Sequence, residues 1–483
     1  MYHLKSLKPN MALRTRLISP YQHDGVRWLV ARELASSLPG GFLCDEMGLG
    51  KTVQLIATML VNPKPRTLVV VPKSIVGQWC DEVRRFAPSL AVSSFEGAKR
   101  QLDQQAHVII APYSVLASRP GAPVSPLLGE RWDRVILDEG HEIRNAKSKT
   151  HIACNALVAK IRWVVSGTPV FNSIKDFVAL CRFVGIPRDH VQGYTDRIRE
   201  TYVLRRTKAD VAQHNRRLEL PPCSFENVEL DMYPEESELY RSVFEEGAET
   251  VKKIFKTGNL AMHQMELLEC LLRVRQVMVW PQLYLDGVAV KNGFDPEPWS
   301  GRSRKMEVLL ESIKSHPTEK TLVFTQFMGE MDRIQELLHE AGIPVQRIDG
   351  SIAKEQREER IKAFKEGPPG STFLIQIKAG GVGLNLQEAT RVYITCPSWN
   401  PATELQAIGR AHRTGQTQKV VVRRLVYLGE ATMPSVEQSI VQLQEGKARV
   451  CAEVLNDPRI QDQVPNAFRA KVNIQTLRKI FSV

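Results

Sequence analysis

The sequence predicts an α/β protein of two lobes. Each is a mostly parallel sheet flanked by helices, with a helical insertion between them. Three observations carry that expectation. Short runs rich in Val and Ile recur without apolar–polar alternation, helical stretches separate them, and the pattern pauses once at a long helical segment before beginning again. Strands without alternation are buried on both faces, as in a parallel sheet. Parallel neighbours are joined by right-handed crossovers, usually helical.

In the first half the strand candidates are 67–71, 107–111, 134–137 and 162–166, with helices at 77–86 and 149–159 between them. The stretch 171–222 reads as helical, and 235–278 has helical spacing at Leu239, Val243, Leu267, Leu268, Leu271 and Leu272. Residues 284–304 carry Asn292, Gly293, Pro296, Pro298 and Gly301 and read as the linker between the halves. Strand candidates then resume at 321–325, 345–348, 372–377, 391–395 and 420–426. The expected domains are a first lobe at 1–222, a helical insertion and linker at 223–300, a second lobe at 301–450 and a basic helical tail at 451–483. The end of that tail, 464–483, has four basic residues and no acidic one, with an apolar stripe at Ile474, Leu477, Ile480 and Phe481. Docking on the second half is preferred over DNA contact for that stripe.

Residues 45–52, Asp45-Glu46-Met47-Gly48-Leu49-Gly50-Lys51-Thr52, stand between a short apolar run and a helix-like run at 53–60. Glycines let a backbone turn its N–H groups toward a ligand, and such a concavity before a helix N-terminus is an anion site. Lys51 supplies a charge for terminal phosphates and Thr52 a hydroxyl for Mg²⁺. Asp45 occupies the place where the usual phosphate-loop pattern has glycine. An ordinary turn before a helix is the alternative, and the rest of the chain decides.

Asp138-Glu139-Gly140-His141 ends the third strand candidate and Ser166-Gly167-Thr168-Pro169 the fourth. Carboxylates at the C-terminal end of a parallel strand sit where such sheets bind ligands. Asp138 suits Mg²⁺, and Glu139 suits the orientation or deprotonation of a water. An acidic pair alone is often a helix cap, but less often so in a sheet that also carries a Gly-Lys-Thr loop. Tyr21 and Gln22 precede the loop: a glutamine amide can read one purine edge and an aromatic can stack on its face. Helix cap and surface aromatic are the plainer reading of that pair. In the second half, Arg410 and Arg413 follow Gln406 at a spacing that shares one helical face. Paired guanidiniums suit the charge on a transferring phosphoryl group, though a surface helix is the plainer reading of two arginines at that spacing. The basic stretch 204–208 touches phosphate, an acidic face of the protein, or solvent.

The chain has 483 residues, 43% hydrophobic and 24% charged, which are globular values. A net charge of +12 favours a polyanionic partner, nucleic acid first, with a merely basic soluble protein as the alternative. Eight cysteines occur singly, with no C-x-x-C pair. That argues against a zinc finger or RING and suits a reducing compartment. Residues 1–20 lack the apolar core of a signal peptide, and no apolar run reaches membrane-spanning length.

Taken in order, Tyr21-Gln22, DEMGLGKT (45–52), LVVVPKSIVGQW (68–79), DEGH (138–141), SGTP (166–169), LRRTK (204–208), LVFTQF (322–327), KAGGVGLNL (378–386) and QAIGRAHRTGQ (406–416) resemble the Swi/Snf family of DNA-dependent ATPases, within helicase-like superfamily two. The resemblance spans roughly 17–427, and Asp45 is what that family carries. It implies two RecA-like lobes with ATP between them, duplex DNA across both, and translocation usually without strand separation. It implies that Gln22 reads adenine, that the loop from Asp45 through Glu46, Met47, Gly48, Leu49 and Gly50 to Lys51 and Thr52 binds the phosphates, and that Thr52 and Asp138 hold Mg²⁺. Glu139 then activates water, Arg410 and Arg413 act as arginine fingers, and Gln406 lies beside them. Thr168 and Gly383 belong to motifs that couple nucleotide to DNA. Gly140 departs from the commoner alanine and resembles a branch of post-replication repair translocases. Members of that branch often carry a RING finger, which the cysteine pattern here rules out, so ubiquitin-ligase activity is not implied. In its compactness the chain resembles the family's viral global transactivators. Nucleosomes or other DNA-bound proteins follow as partners and the nucleus, or a host nucleus, as the setting. A strand-separating helicase, a repair translocase and a degenerate DNA-binding scaffold remain as alternatives.

Overall fold

A computed structural model describes residues 17, 20–97, 100–117, 123–167, 174–193, 195–212, 220–257, 262–377, 384–399, 401–413, 415–430, 433–442, 444 and 480–481. Thr168, Pro169, the glycine-bearing run 378–383 with Gly383, and tail residues 464–479 lie outside the described residues. The chain forms two compact units, one running through Leu220 and the other starting at Pro221.

The first unit contains α1 (Pro20–Glu33), β1 (Gly40–Leu43), α2 (Lys51–Val61), β2 (Thr67–Val71), α3 (Val76–Phe86), β3 (Val92–Ser94), β4 (Val108–Pro112), β5 (Arg131–Asp138), α4 (Lys149–Ala156), β6 (Val158–Val165), α5 (Ile174–Val184), α6 (Arg188–Gly193), α7 (Thr195–Tyr202), β7 (Val203–Leu204) and α8 (Lys208–Ala212). Its sheet has the order β3-β4-β2-β5-β6-β1-β7, with every pairing parallel. Every residue of β1, β2 and β4 is buried, which is why these strands read as unbroken apolar runs. Val69, Val71, Ile110, Ile136 and Trp163 form one core cluster with Leu29 of α1, Leu55 and Met59 of α2, and Trp79 and Val83 of α3.

The second unit contains β8 (Cys223–Leu230), α9 (Pro234–Thr257), α10 (Gln264–Val279), α11 (Pro281–Asn292), α12 (Arg304–Lys314), β9 (Lys320–Thr325), α13 (Met328–Glu340), β10 (Val345–Ile348), α14 (Lys354–Glu366), β11 (Thr372–Gln376), β12 (Ala389–Ile394), α15 (Pro401–Ile408) and β13 (Val420–Tyr427). Its sheet has the order β10-β11-β9-β12-β13-β8, again parallel throughout. The fold class is the expected one.

Three local expectations need correction. The stretch 223–300 is not wholly helical, because β8 pairs with β13 along its full length. As an edge strand, β8 has only its last residue fully buried, so it lacks the apolar run that marks interior strands. Residues 284–304 are not a linker between the halves. Tyr284 packs in a core cluster with Val279, Met306 and Val323 of the second unit, and the Pro and Gly residues mark a surface loop inside that unit. Helix α4 stops at Ala156 rather than 159, because β6 already begins at Val158.

Candidate nucleotide-binding site

The loop 44–50 leaves the C-terminal end of β1 and enters α2 at Lys51. Gly48 has φ 90° and Gly50 φ 73°, in the left-handed region that side chains disfavour, so glycine lets the backbone curl here. Helix α2 has no acidic residue in its first turn and no side-chain cap, so nothing within the helix offsets the positive end of its dipole. Lys51 Nζ donates to the carbonyls of Asp45 at 2.9 Å and Glu46 at 3.4 Å, folding the ammonium over the loop. A Cβ on Gly167, just past β6, would lie 2.7 Å from that ammonium, so glycine leaves it room. Thr52 follows, half-buried in the first turn.

The two acidic residues of the loop grip the protein. Asp45 is fully buried, and its carboxylate accepts from Arg206 Nε at 3.0 Å, the Arg206 backbone N–H at 3.1 Å, Arg206 Nη2, and Gln54 Nε2 at 3.2 Å. Glu46 accepts from the Lys208 backbone N–H at 2.8 Å and pairs with Lys208 Nζ at 3.4 Å. The stretch 204–208 runs beside the loop because β7 pairs in parallel with β1, and the Glu46 N–H donates to the Arg206 carbonyl. Of the three readings open for this basic stretch, contact with an acidic face of the protein is the observed one. Asp45, expected among the nucleotide-contacting residues, offers its side chain to Arg206 and Gln54 and only its backbone to the loop.

Leu49 likewise turns its side chain into a small cluster with Val211 and Tyr21. Its carbonyl accepts from Tyr21 Oη at 3.0 Å, Gln54 Nε2 at 3.2 Å and Gln22 Nε2 at 3.4 Å. Burial, with the Asp45 carboxylate next, pushes the Tyr21 phenol up to about 12, so it stays a donor. Tyr21 and Gln22 are thus joined to the loop itself, and Met47 lies against Gly167.

Asp138 closes β5 in register with Val165 of β6, which is in register with Leu43 of β1. The acidic pair and the loop therefore share one sheet edge. Trp79 Nε1 donates to Asp138 Oδ2 at 2.7 Å, and the Glu139 N–H donates to Oδ1 at 2.9 Å. Burial, then the Glu139 charge, pushes the Asp138 carboxyl up to about 6. Glu139 has φ 49° and ψ 48°, a left-handed conformation that is strained for a residue with a Cβ and is tolerated where a side chain must be aimed. His141 Nδ1 lies 3.4 Å from Glu139 Oε2, and burial pushes the imidazole down, toward its neutral form. A Cβ on Gly140 would lie 2.5 Å from Val164 Cγ1, which accounts for glycine here.

In the second unit Gln406 is half-buried on α15, which ends at Ile408. Arg410 and Arg413 therefore do not share a helical face. They follow the helix in tight turns, with Arg410 N–H donating to Ala407 O at 3.1 Å and Ala411 N–H to Ile408 O at 3.1 Å. Gly409 ends the regular helix. Arg410 is buried, and Arg413 Nη1 donates to Leu384 O at 3.3 Å.

The donor set of the first unit fits a nucleoside triphosphate with Mg²⁺. Backbone N–H groups, Lys51 and a helix N-terminus face one sheet edge, and Ser166 Oγ there is buried without a hydrogen-bond partner. Among the described residues no group of three or more His, Cys, Asp and Glu could hold a metal. A Mg²⁺ held by Thr52 and Asp138 would thus take its remaining ligands from phosphate and water, as this ion commonly does. Sequence reasoning gave no role to Gln54. Trp79 and Arg206 lay within motif stretches, but their partners are 59 and 161 residues away.

Residues 21–199 match the SNF2-related domain and residues 304–415 the Helicase conserved C-terminal domain, together more than half of the chain. Over 96% of its length the chain is 27% identical to 94% of the "Probable global transactivator" of Orgyia pseudotsugata multicapsid polyhedrosis virus. Over 95% of its length it is 29% identical to 45% of the mouse SWI/SNF-related matrix-associated actin-dependent regulator of chromatin subfamily A member 1, so it spans about half of that protein. The Sulfolobus solfataricus SWI2/SNF2 ATPase core in complex with dsDNA is 25% identical, with 98% of each chain covered and a TM-score of 0.41. No helix among the described residues is long and apolar enough to cross a membrane.

Proposed function

The chain belongs to the SNF2-related, helicase-like ATPases, and from that membership we propose that it is an ATP-driven translocase on duplex DNA that remodels protein–DNA complexes in the nucleus. The observation that carries the reading is the convergence of Lys51, Asp138 and Glu139 with the N-terminus of α2 at one edge of a parallel sheet. A net charge of +12 supports a nucleic-acid partner. The names of the viral and mouse relatives, a transactivator and a regulator of chromatin, support transcription or chromatin as the setting and nucleosomes or other DNA-bound proteins as partners.

MgATP supplies a phosphoryl group whose charge the ion shares. Lys51 and the loop N–H groups bind and orient the phosphates. Thr52 and Asp138 would hold Mg²⁺, with the Trp79 indole and the Glu139 N–H fixing the Asp138 carboxylate. Glu139 takes the proton of the attacking water. Gln22 reads the adenine edge. In the second unit, Arg410 and Arg413, with Gln406, are the residues that family membership assigns to the charge of a transferring phosphoryl group.

The test is ATP hydrolysis measured alone, with naked duplex DNA and with nucleosomes. DNA raises the rate if the reading holds, and a rate that DNA does not move overturns it. Strand displacement on a tailed duplex is expected to be absent, and its presence would favour a strand-separating helicase. Binding is expected to fall steeply with salt and to show little sequence preference.

A further inference from the structure

We infer that Arg206 is a positioning residue that sets the nucleobase selectivity of this site, by holding the Tyr21–Gln22 pair in register with the phosphate loop. The inference rests on the reading of Gln22 as the residue that faces the base.

The guanidinium of Arg206 is mostly buried, with 16% of the side chain exposed. It serves three segments at once. Nε and Nη2 donate to the two oxygens of the Asp45 carboxylate in the loop. Nη2 also donates to Gln54 Oε1 at 2.8 Å on α2. Nη1 donates to the Tyr21 carbonyl on α1, and the guanidinium carbon stands 5.2 Å from the centre of the Tyr21 ring. The planar fork thus fixes the backbone immediately before Gln22 relative to the loop. A lysine, a point charge on a flexible stem, cannot reproduce that pattern.

The surroundings are cut to fit this residue. A Cβ on Gly25, one turn along α1 from Tyr21, would fall 1.9 Å from Gln54 Oε1 and 2.7 Å from Arg206 Nη2. On the other side, a Cβ on Gly50 would fall 2.6 Å from Gln22 Nε2, so the Gln22 amide lies directly against the loop backbone. A shift of Arg206 therefore passes through the Tyr21 carbonyl to an amide that has no slack. Displacing a base-reading amide costs the base that it recognises and leaves phosphate binding, which all nucleotides share, nearly unchanged.

The experiment compares steady-state ATP and GTP hydrolysis, at saturating duplex DNA, for the wild type, Arg206→Lys and Gly25→Ala. Gly25→Ala keeps both charges of the Arg206–Asp45 pair and suits a helix interior. For both variants the ATP-over-GTP preference in kcat/KM should fall about tenfold or more, mostly through KM for ATP, with kcat within about threefold. Should Arg206→Lys fail to fold, the charge-neutral pair Asp45→Asn with Arg206→Ala replaces it, and selectivity should still be lost. Equal losses for ATP and GTP, or a preserved ATP preference in a folded variant, would overturn the inference. A wild type that hydrolyses both nucleotides alike would sink it too, while leaving the ATPase intact. A wild type that hydrolyses neither would instead count against the enzymatic reading.

Discussion

The indole N–H of Trp79 donates to Asp138 Oδ2 at 2.7 Å, joining the start of α3 to the end of β5. The carboxylate that this bond orients is buried beside Glu139, and the two effects hold its pKa near 6, above the usual 3.8. A raised carboxyl pKa favours the protonated form in the folded state. Its contribution to stability is therefore present below about pH 4 and lost as pH rises through 6. Asp138→Asn, which keeps the neutral shape at every pH, should gain a few degrees in Tm on the wild type between pH 5 and pH 8 without divalent cations. Thermal scans at the two pH values check this, and an unchanged difference would refute it. MgATP at pH 8 should stabilise the wild type and leave Asp138→Asn nearly unmoved.

Lys51→Ala and Glu139→Gln should each lower turnover by about a hundredfold or more. They should differ in binding. On the proposed reading Lys51 contributes charge to the phosphates, and its loss should weaken ATP affinity. Glu139→Gln spares the phosphate grip and should bind ATP within about threefold of the wild type. Hydrolysis assays beside a fluorescent-nucleotide titration separate the two, and normal turnover in either variant would refute its assignment.

Glu33 and Arg134 form a buried pair, with Nε–Oε1 at 2.6 Å and Nη2–Oε2 at 2.5 Å. Trp163 Nε1 and Asn62 Nδ2 complete the carboxylate's shell at 2.9 and 2.7 Å. The network ties the end of α1 to β5, β6 and the end of α2. Removing one charge leaves the other buried and unpaired, so Glu33→Gln should cost about 3 kcal/mol. Urea unfolding measures it, and a cost near zero would mean that solvent reaches Arg134.

Phe481 is buried in the second unit, its ring 5.2 Å from that of Phe244 on α9. A Cβ on Gly247 would lie 2.9 Å from that ring, so a glycine notch on α9 receives it. Phe481→Ala should destabilise the protein by about 3 kcal/mol. The loss should appear in thermal unfolding, and DNA affinity should barely move if the end of the chain is an anchor rather than a DNA contact. A drop in affinity without a drop in stability would reverse that assignment for Ile480 and Phe481.

The amino-acid order alone specifies the α/β class and the interior strands, because β2, β4, β9 and β11 are buried on both faces and their apolar runs record it. It also marked the loop and the acidic pair, whose glycines, lysine and carboxylates are adjacent in the chain and whose chemistry is local. It could not reveal β8, a largely half-exposed edge strand whose partner β13 lies some 200 residues later. It suggested one helical face for Arg410 and Arg413, where the helix stops at Ile408. The partners of Asp45 and Glu46 were decided by tertiary structure alone. Arg206 lies 161 residues from Asp45 and Lys208 162 from Glu46. Pairing at that distance follows from β7 lying beside β1 and leaves no period in the sequence. The aspartate that breaks the usual phosphate-loop pattern is there to be held, because a carboxylate with no exposed surface needs a guanidinium of its own.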